Sequence, residues 1–340
     1  MPATSLLPSA PARRRGLLLA AWLAVGGLSA LPAAPASAQP KPWQPQRPIR
    51  VVVPYGPGGS SDVVARLLTA EMTKILGQTV FVENKGGASG QVAMQEVARA
   101  APDGYTIVLG HVGTLAVNPA MFEKLPYADK DFEPVGLLAK VPMVFAVGAH
   151  VPAKNLKEFI ALAKANPGKF SYGSAGNGSA GHLAFEMLKL AAGIDVIHVP
   201  YKGTGAQLND LLAGNIDAAS AGPPAFIQHA EGGRLRVIAT GSPQRLPALP
   251  EVPSVAEHGY PGFDSSQWFG FLAPARTPEH VVARIQDAAE KALQVPSVQE
   301  RLKGEATVPA PMKGPQFAAF IQSERERWGI VVRQAKLKVE

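Results

Sequence analysis

The sequence predicts an α/β chain built in two halves with mostly parallel sheets, and three observations carry that prediction. Strand-like apolar runs alternate with helix-length amphipathic runs along the chain, which is how strands joined by crossover helices read. The pattern restarts near Val141. Each half also holds a glycine-rich loop running from a strand into a helix, Tyr55 to Asp62 in the first and Ser174 to His182 in the second.

In the first half, Arg50 to Pro54 reads as a buried strand. Asp62 to Leu76 reads as a helix, with Val63, Val64, Leu67, Leu68, Met72, Ile75 and Leu76 at helical spacing before Gly77 ends it. Val80 to Glu83 is the next strand and Gln91 to Arg99 a second helix. The turn Pro102-Asp103-Gly104 then leads to a third strand, Tyr105 to Leu109. In the second half, Met143 to Val147 reads as a strand, Leu156 to Ala165 as a helix stopped by Pro167-Gly168, and Phe170 to Ser174 as a strand. His182 to Ala192 is helical, Val196 to Val199 extended, Ala206 to Ala213 helical and Val237 to Thr240 a strand. A proline-rich connector, Pro243 to Pro261, leads to a strand at Trp268 to Leu272, and helices at Val281 to Leu293 and Gln316 to Arg333 finish the chain.

At the N-terminus, Arg13, Arg14 and Arg15 precede an apolar run from Leu17 to Leu31, and Ala36-Ser37-Ala38 offers a small-residue cleavage site. Residues 1–38 therefore read as a secretory signal peptide. No later stretch approaches the roughly 20 apolar residues of a membrane span. Removing the signal takes three arginines and lowers the formal net charge from +7 to +4. The remaining Lys and Arg are scattered, with no basic run interleaved with aromatics, so nucleic acid is not an expected partner. There is no cysteine, so an exported fold must be held by core burial, with no disulfide and no thiolate metal site.

The two glycine-rich loops carry the chemistry. In Tyr55-Gly56-Pro57-Gly58-Gly59-Ser60-Ser61-Asp62 the glycines let backbone approach a ligand, Ser60 or Ser61 can cap the helix, and its free N–H groups attract an anion. Ser174-Ala175-Gly176-Asn177-Gly178-Ser179-Ala180-Gly181-His182 repeats the arrangement. Singly each loop reads as a tight turn, but paired they form a two-sided trap for a carboxylate that needs no arginine. A dinucleotide fingerprint begins at Gly56 and Gly58 but meets Ser61 where its third glycine belongs. A nucleophile elbow fits neither Ser174 nor Ser179. His182 sits in a first helical turn, where packing or capping is the commoner role, and the other histidines lack metal-ligand spacing. The chain is therefore expected to be no enzyme, with no cofactor and no metal.

Seven segments in order carry a resemblance: VVVPYGPGGSSD (51–62), VENKGGASG (82–90), ARAAPDGYT (98–106), SYGSAGNGSAGHLA (171–184), HVPYKG (198–203), LPALPEVPSVAEHGYPGF (246–263) and WFGFLAPARTP (268–278). Together they make the chain resemble the Bug or TctC family, periplasmic solute-binding receptors of tripartite tricarboxylate transporters. The resemblance spans about residues 43–333. It implies a two-lobed type II periplasmic-binding-protein fold with a ligand cleft between the lobes, lobe 1 formed by 39–141 with 263–340 and lobe 2 by 142–262. It also implies a periplasmic monomer that hands a small carboxylate to the membrane subunits of a transporter. A sensor subunit acting with a membrane kinase is the alternative, since both need only a closing cleft.

The resemblance puts the ligand's near carboxylate between the two loops. It carries over onto Tyr55, Gly58, Gly59, Ser60 and Ser61, and onto Ser174, Gly178, Ser179 and Ala180, with Ser89 and Thr204 in second rank. Asp62 is expected to serve the helix start, because a carboxylate facing an anion would repel it. Where many relatives carry an Asp in the strand-end segment after Gly214, this chain has Ala221 and Gly222, and Phe269 follows Trp268. Ala221 and Trp268 are therefore expected to line a distal pocket, with Phe269 as a second flat wall suited to an aromatic or bulky apolar acid.

Overall fold

The structure, a computed structural model, describes residues 43–337; the expected signal peptide at 1–38 lies outside them. In chain order the strands are β1 (Ile49–Val53), β2 (Val80–Asn84), β3 (Thr106–His111), β4 (Phe132–Val141), β5 (Val144–Gly148), β6 (Ser171–Ser174), β7 (Ile197–Pro200), β8 (Ala218–Ala221), β9 (Leu235–Thr240), β10 (Gln267–Pro274) and β11 (Val308–Lys313). The helices are α1 (Ser60–Leu76), α2 (Gln91–Ala98), α3 (Asn118–Met121), α4 (Leu156–Ala165), α5 (Ala180–Ala192), α6 (Thr204–Ala213), α7 (Ile227–Glu231), α8 (Glu279–Leu293), α9 (Pro296–Gly304) and α10 (Gly314–Gln334).

Two sheets frame the molecule, one of six strands ordered β11-β4-β10-β3-β1-β2 and one of five ordered β7-β6-β8-β5-β9. The expected mostly parallel sheets are instead mixed. Each has a parallel group, β2-β1-β3 and β7-β6-β8, extended by antiparallel strands. The antiparallel strands sit where the chain changes sheets: β5 follows β4 after only two residues but lies in the other sheet, antiparallel to β8 and β9, and β10 returns to lie antiparallel between β3 and β4. The chain passes between sheets at 142–143 and returns at 241–266. These two passages are tied by Gly241 N–H donating to Met143 O at 2.7 Å, and the two ends of the returning passage are held together by Ser265 N–H donating to Gly241 O at 2.8 Å.

Burial explains the helices. In α1 the buried side is Val64, Ala65, Leu68, Met72 and Leu76, which packs on β1 and β3 together with Ile285 and Ala289 of α8. Gly77 ends it in a left-handed conformation with φ 69°. The second lobe has its own core, where Phe145, Phe159, Tyr172 and Phe185 meet in edge-on and stacked pairs. Leu183 of α5 is an exception, since it is buried in the other lobe's cluster with Trp268, Phe317 and Trp328. It joins the lobes by apolar contact as well as by chain passages.

Candidate ligand cleft

A cavity of about 730 Å³ lies where the loops of both sheets converge, within the roughly 300–1,000 Å³ usual for small-molecule sites. Four loops form its walls: 54–61 after β1, 86–90 after β2, 175–181 after β6 and 202–205 after β7. Residues 220–222 at the end of β8, together with Met143 and Gln267 at the passages between sheets, close it. Each loop leaves the C-terminal end of a parallel strand, the position at which open α/β sheets bind ligands. Among the described residues no Asp or Glu lines the cavity, and Lys202 is the one charged side chain in its lining.

The first loop is braced from behind. Asp62 accepts Gly58 N–H at 3.0 Å and pairs with Arg66. Burial opposes its ionisation, but the Arg66 guanidinium and the Gly58 amide outweigh that and hold its carboxyl below the usual range. Asn84 donates from its side-chain amide to Tyr55 O at 3.1 Å. Asp62 therefore serves the loop rather than the ligand, as its charge requires. The first-turn amides of α1, which no intrahelical carbonyl can satisfy, belong to cleft-lining Ser60 and Ser61.

The second loop is built the same way with different parts. Ser179 caps α5, its Oγ accepting His182 N–H at 3.4 Å, while His182 Nδ1 accepts Gly178 N–H at 3.0 Å. An Nδ1 that accepts an amide must be bare. Burial first, then the Lys189 charge, holds His182 neutral, with its pKa lowered to about 4. Its ring stacks on His198 at 4.0 Å, and burial with the neighbouring His182 lowers His198 to about 3. Gly181 is required by close approach, because a Cβ there would meet Ser220 O at 2.1 Å. That contact lets α5 abut β8 and turn its first amides into the cleft.

A third wall was not legible in the sequence. His111, at the end of β3, receives Gly113 N–H on Nδ1 at 2.9 Å, stands 2.9 Å from the Tyr55 hydroxyl through the same nitrogen, and reaches Gln267 Oε1 from Nε2 at 3.1 Å. Glycine at 113 suits this packing, since a Cβ would lie 2.9 Å from the Tyr55 hydroxyl and one of the two would have to shift. Burial lowers His111 to about 4, so the ring is neutral, and desolvation raises the Tyr55 pKa.

Of the residues singled out from sequence, Tyr55, Gly58, Gly59, Ser60, Ser61, Ser89, Gly178, Ser179, Ala180, Thr204 and Ala221 line this one cavity. Two do not. Ser174 is fully buried behind its loop, where its hydroxyl meets His198 Nε2 at 2.7 Å and Gly176 N–H at 3.2 Å, so it holds the loop's shape. Trp268 points to the far side of β10, where its indole N–H donates to the buried Glu324 carboxylate at 2.7 Å beside Phe317 and Phe320. Phe269 points the other way into the core under α1 and α8 and touches His111 from behind. Neither aromatic is a cleft wall, so the expectation of a bulky apolar acid loses its basis. Gly58 and Gly178 also spend their N–H groups on Asp62 and His182, which leaves the helix first turns as the anion-facing amides.

Two α/β lobes joined by paired chain passages, with helix N-termini aimed into a cleft between them, define a two-lobed solute-binding protein. The family model described as tripartite tricarboxylate transporter family receptor matches residues 64–337, and the chain belongs to that family. The periplasmic binding protein BugD is similar over 87% of this chain and 100% of its own, at 36% identity and TM-score 0.78. A protein of R. palustris solved with adipate matches 86% of this chain and 99% of its own at 31% identity and TM-score 0.80. MatC from Rhodopseudomonas palustris with bound malate matches 85% and 99% at 35% identity and TM-score 0.76. The family places the chain among solute receptors of transporters rather than among kinase sensors.

Proposed function

We propose that the cleft captures a small carboxylate, by its near end, between the first turns of α1 and α5, and presents it to the membrane subunits of a tripartite transporter. One observation carries this reading: two helix N-termini and Lys202 face a cavity that no Asp or Glu lines. Helix N-termini attract anions, and a lining without carboxylates leaves nothing to repel one. The adipate-bound and malate-bound relatives support the ligand class.

The protein acts as a monomer in the periplasm after losing residues 1–38, does not bind nucleic acid, and releases its ligand unchanged. The lobes, 39–141 with 263–340 and 142–262, close about the passages at Met143 and Gly241. A thermal-shift screen of C3 to C8 carboxylates tests the binding reading, since a ligand at about 100 times its Kd adds about 2.7 kcal/mol to stability. No shift with any acid would refute it, and a product signal by proton NMR would refute the non-enzymatic part.

A further inference from the structure

The chain of polar groups from Gly113 to Gln267 has a fixed direction. A backbone N–H can only donate, so His111 Nδ1, which receives Gly113 N–H at 2.9 Å, carries no proton. The neutral ring then holds its proton on Nε2, which donates to Gln267 Oε1 at 3.1 Å. With its oxygen engaged by His111, the Gln267 side chain keeps its NH₂ group for the cavity that the residue lines. Gln267 is also the first residue of β10, opposite Val141, at the point where the chain re-enters the first sheet. The donor is therefore mounted on the cleft floor and not on a loop.

We infer that Gln267 is a specificity-determining residue: its amide, oriented by His111, selects ligands whose far end is a hydrogen-bond acceptor and rejects those ending in an ammonium group. This rests on the carboxylate reading of the cleft and extends it to the other end of the ligand. An ammonium group would meet the amide's N–H hydrogens, with no Asp or Glu among the lining residues to receive it. A second carboxylate, or a hydroxyl or carbonyl oxygen, satisfies the amide instead. His111, which also lines the cavity, acts toward the ligand's far end as a positioning residue, since its ring bonds run to Gly113, Tyr55 and Gln267.

Matched ligands test this: the C4 to C6 dicarboxylates succinate, glutarate and adipate against 4-aminobutyrate, 5-aminopentanoate and 6-aminohexanoate, which keep the near carboxylate and exchange the far one for ammonium. The wild type is expected to favour the diacid of the best-binding length by about tenfold or more, and Gln267→Glu to cut that ratio by at least about tenfold. The glutamate still accepts the His111 proton, so a purely structural residue would leave the ratio unchanged. His111→Phe keeps a ring against Phe269 but frees the amide to flip, and the ratio is expected to fall although Gln267 remains. A Gln267→Glu ratio equal to that of the wild type, or a wild type preferring the amino acids, overturns the inference while leaving the carboxylate reading intact. Failure to bind either series while binding monocarboxylates would also overturn it, and binding of no acid at all would instead refute the carboxylate reading.

Discussion

Ser179→Ala separates two roles of one hydroxyl. As a helix cap, Ser179 Oγ accepts His182 N–H at 3.4 Å, beyond the roughly 2.7–3.2 Å of a well-formed bond. Its loss should therefore cost near the low end for caps, about 0.5 kcal/mol, or about 1–2 °C in melting temperature for a chain of this size. The hydroxyl's own proton takes no part in that cap, and Ser179 lines the cleft. A hydrogen bond to a charged acceptor is worth about 1.5–3 kcal/mol, so Kd for the carboxylate should rise about ten- to a hundredfold. Calorimetric titration of wild type and variant with the best acid from the screen, beside melting curves without ligand, measures both effects. A Kd within about twofold of wild type would refute the contact, and a melting loss of many degrees would show that the cap matters more than its length implies.

Gly59 has φ −83° and open space where a side chain would stand, so Gly59→Val should fold normally yet obstruct the approach to the α1 amides. Loss of binding with an unchanged melting temperature is the expected pair of results. Trp268→Phe should do the reverse, because Glu324 loses one of the donors it holds from Trp268, Trp328 and Arg327. We expect about 1–3 kcal/mol of destabilisation with Kd unchanged. His111, His182 and His198 are held neutral in the folded state, below their ordinary 6.5. The unfolded chain then binds more protons than the folded one as pH falls, so stability should be fullest above 6.5 and decline progressively below it. A melting temperature flat down to about pH 5 would contradict that burial.

The alternation of strands and helices and the two glycine-rich loops at 55–62 and 174–182 were legible because they rest on local signals, whereas the loops at 86–90 and 202–205 were expected only through the family resemblance. Apolar period fixes α1 and α5, glycine clusters mark where strands turn into helices, and the two-residue offset at the N-terminal end of each of these helices concerns capping alone. β4 escaped because Pro134 and Gly136 interrupt its run and two bulges break its register with β10. β11 escaped because it is an edge strand, mostly exposed, with Pro309 and Pro311 in six residues. Trp268 and Phe269 show a different limit. Both faces of β10 are covered, so alternation cannot say which residue meets α10 and which meets α1. The His111–Gln267 pair joins residues 156 apart in sequence, a distance at which neither spacing nor composition carries any signal. Lys202 was visible in its motif, but its solitude in the cleft required knowing which residues share that wall.

The order β11-β4-β10-β3-β1-β2 has a consequence for how the molecule is made. β10 lies between β3 and β4, yet it is synthesised after the entire second sheet, whose strands run without interruption from Val144 to Thr240. A chain emerging N-terminus first can therefore complete its second lobe while the first still has a vacant central slot, with β3 and β4 unable to pair with each other across it. Pairings between segments so distant in sequence form late, because the loop they close must be ordered first. Refolding followed by pulsed hydrogen exchange should show amides of β5, β6 and β8 protected before those of β3, β4 and β10. Until that last insertion, the cleft has only one finished wall.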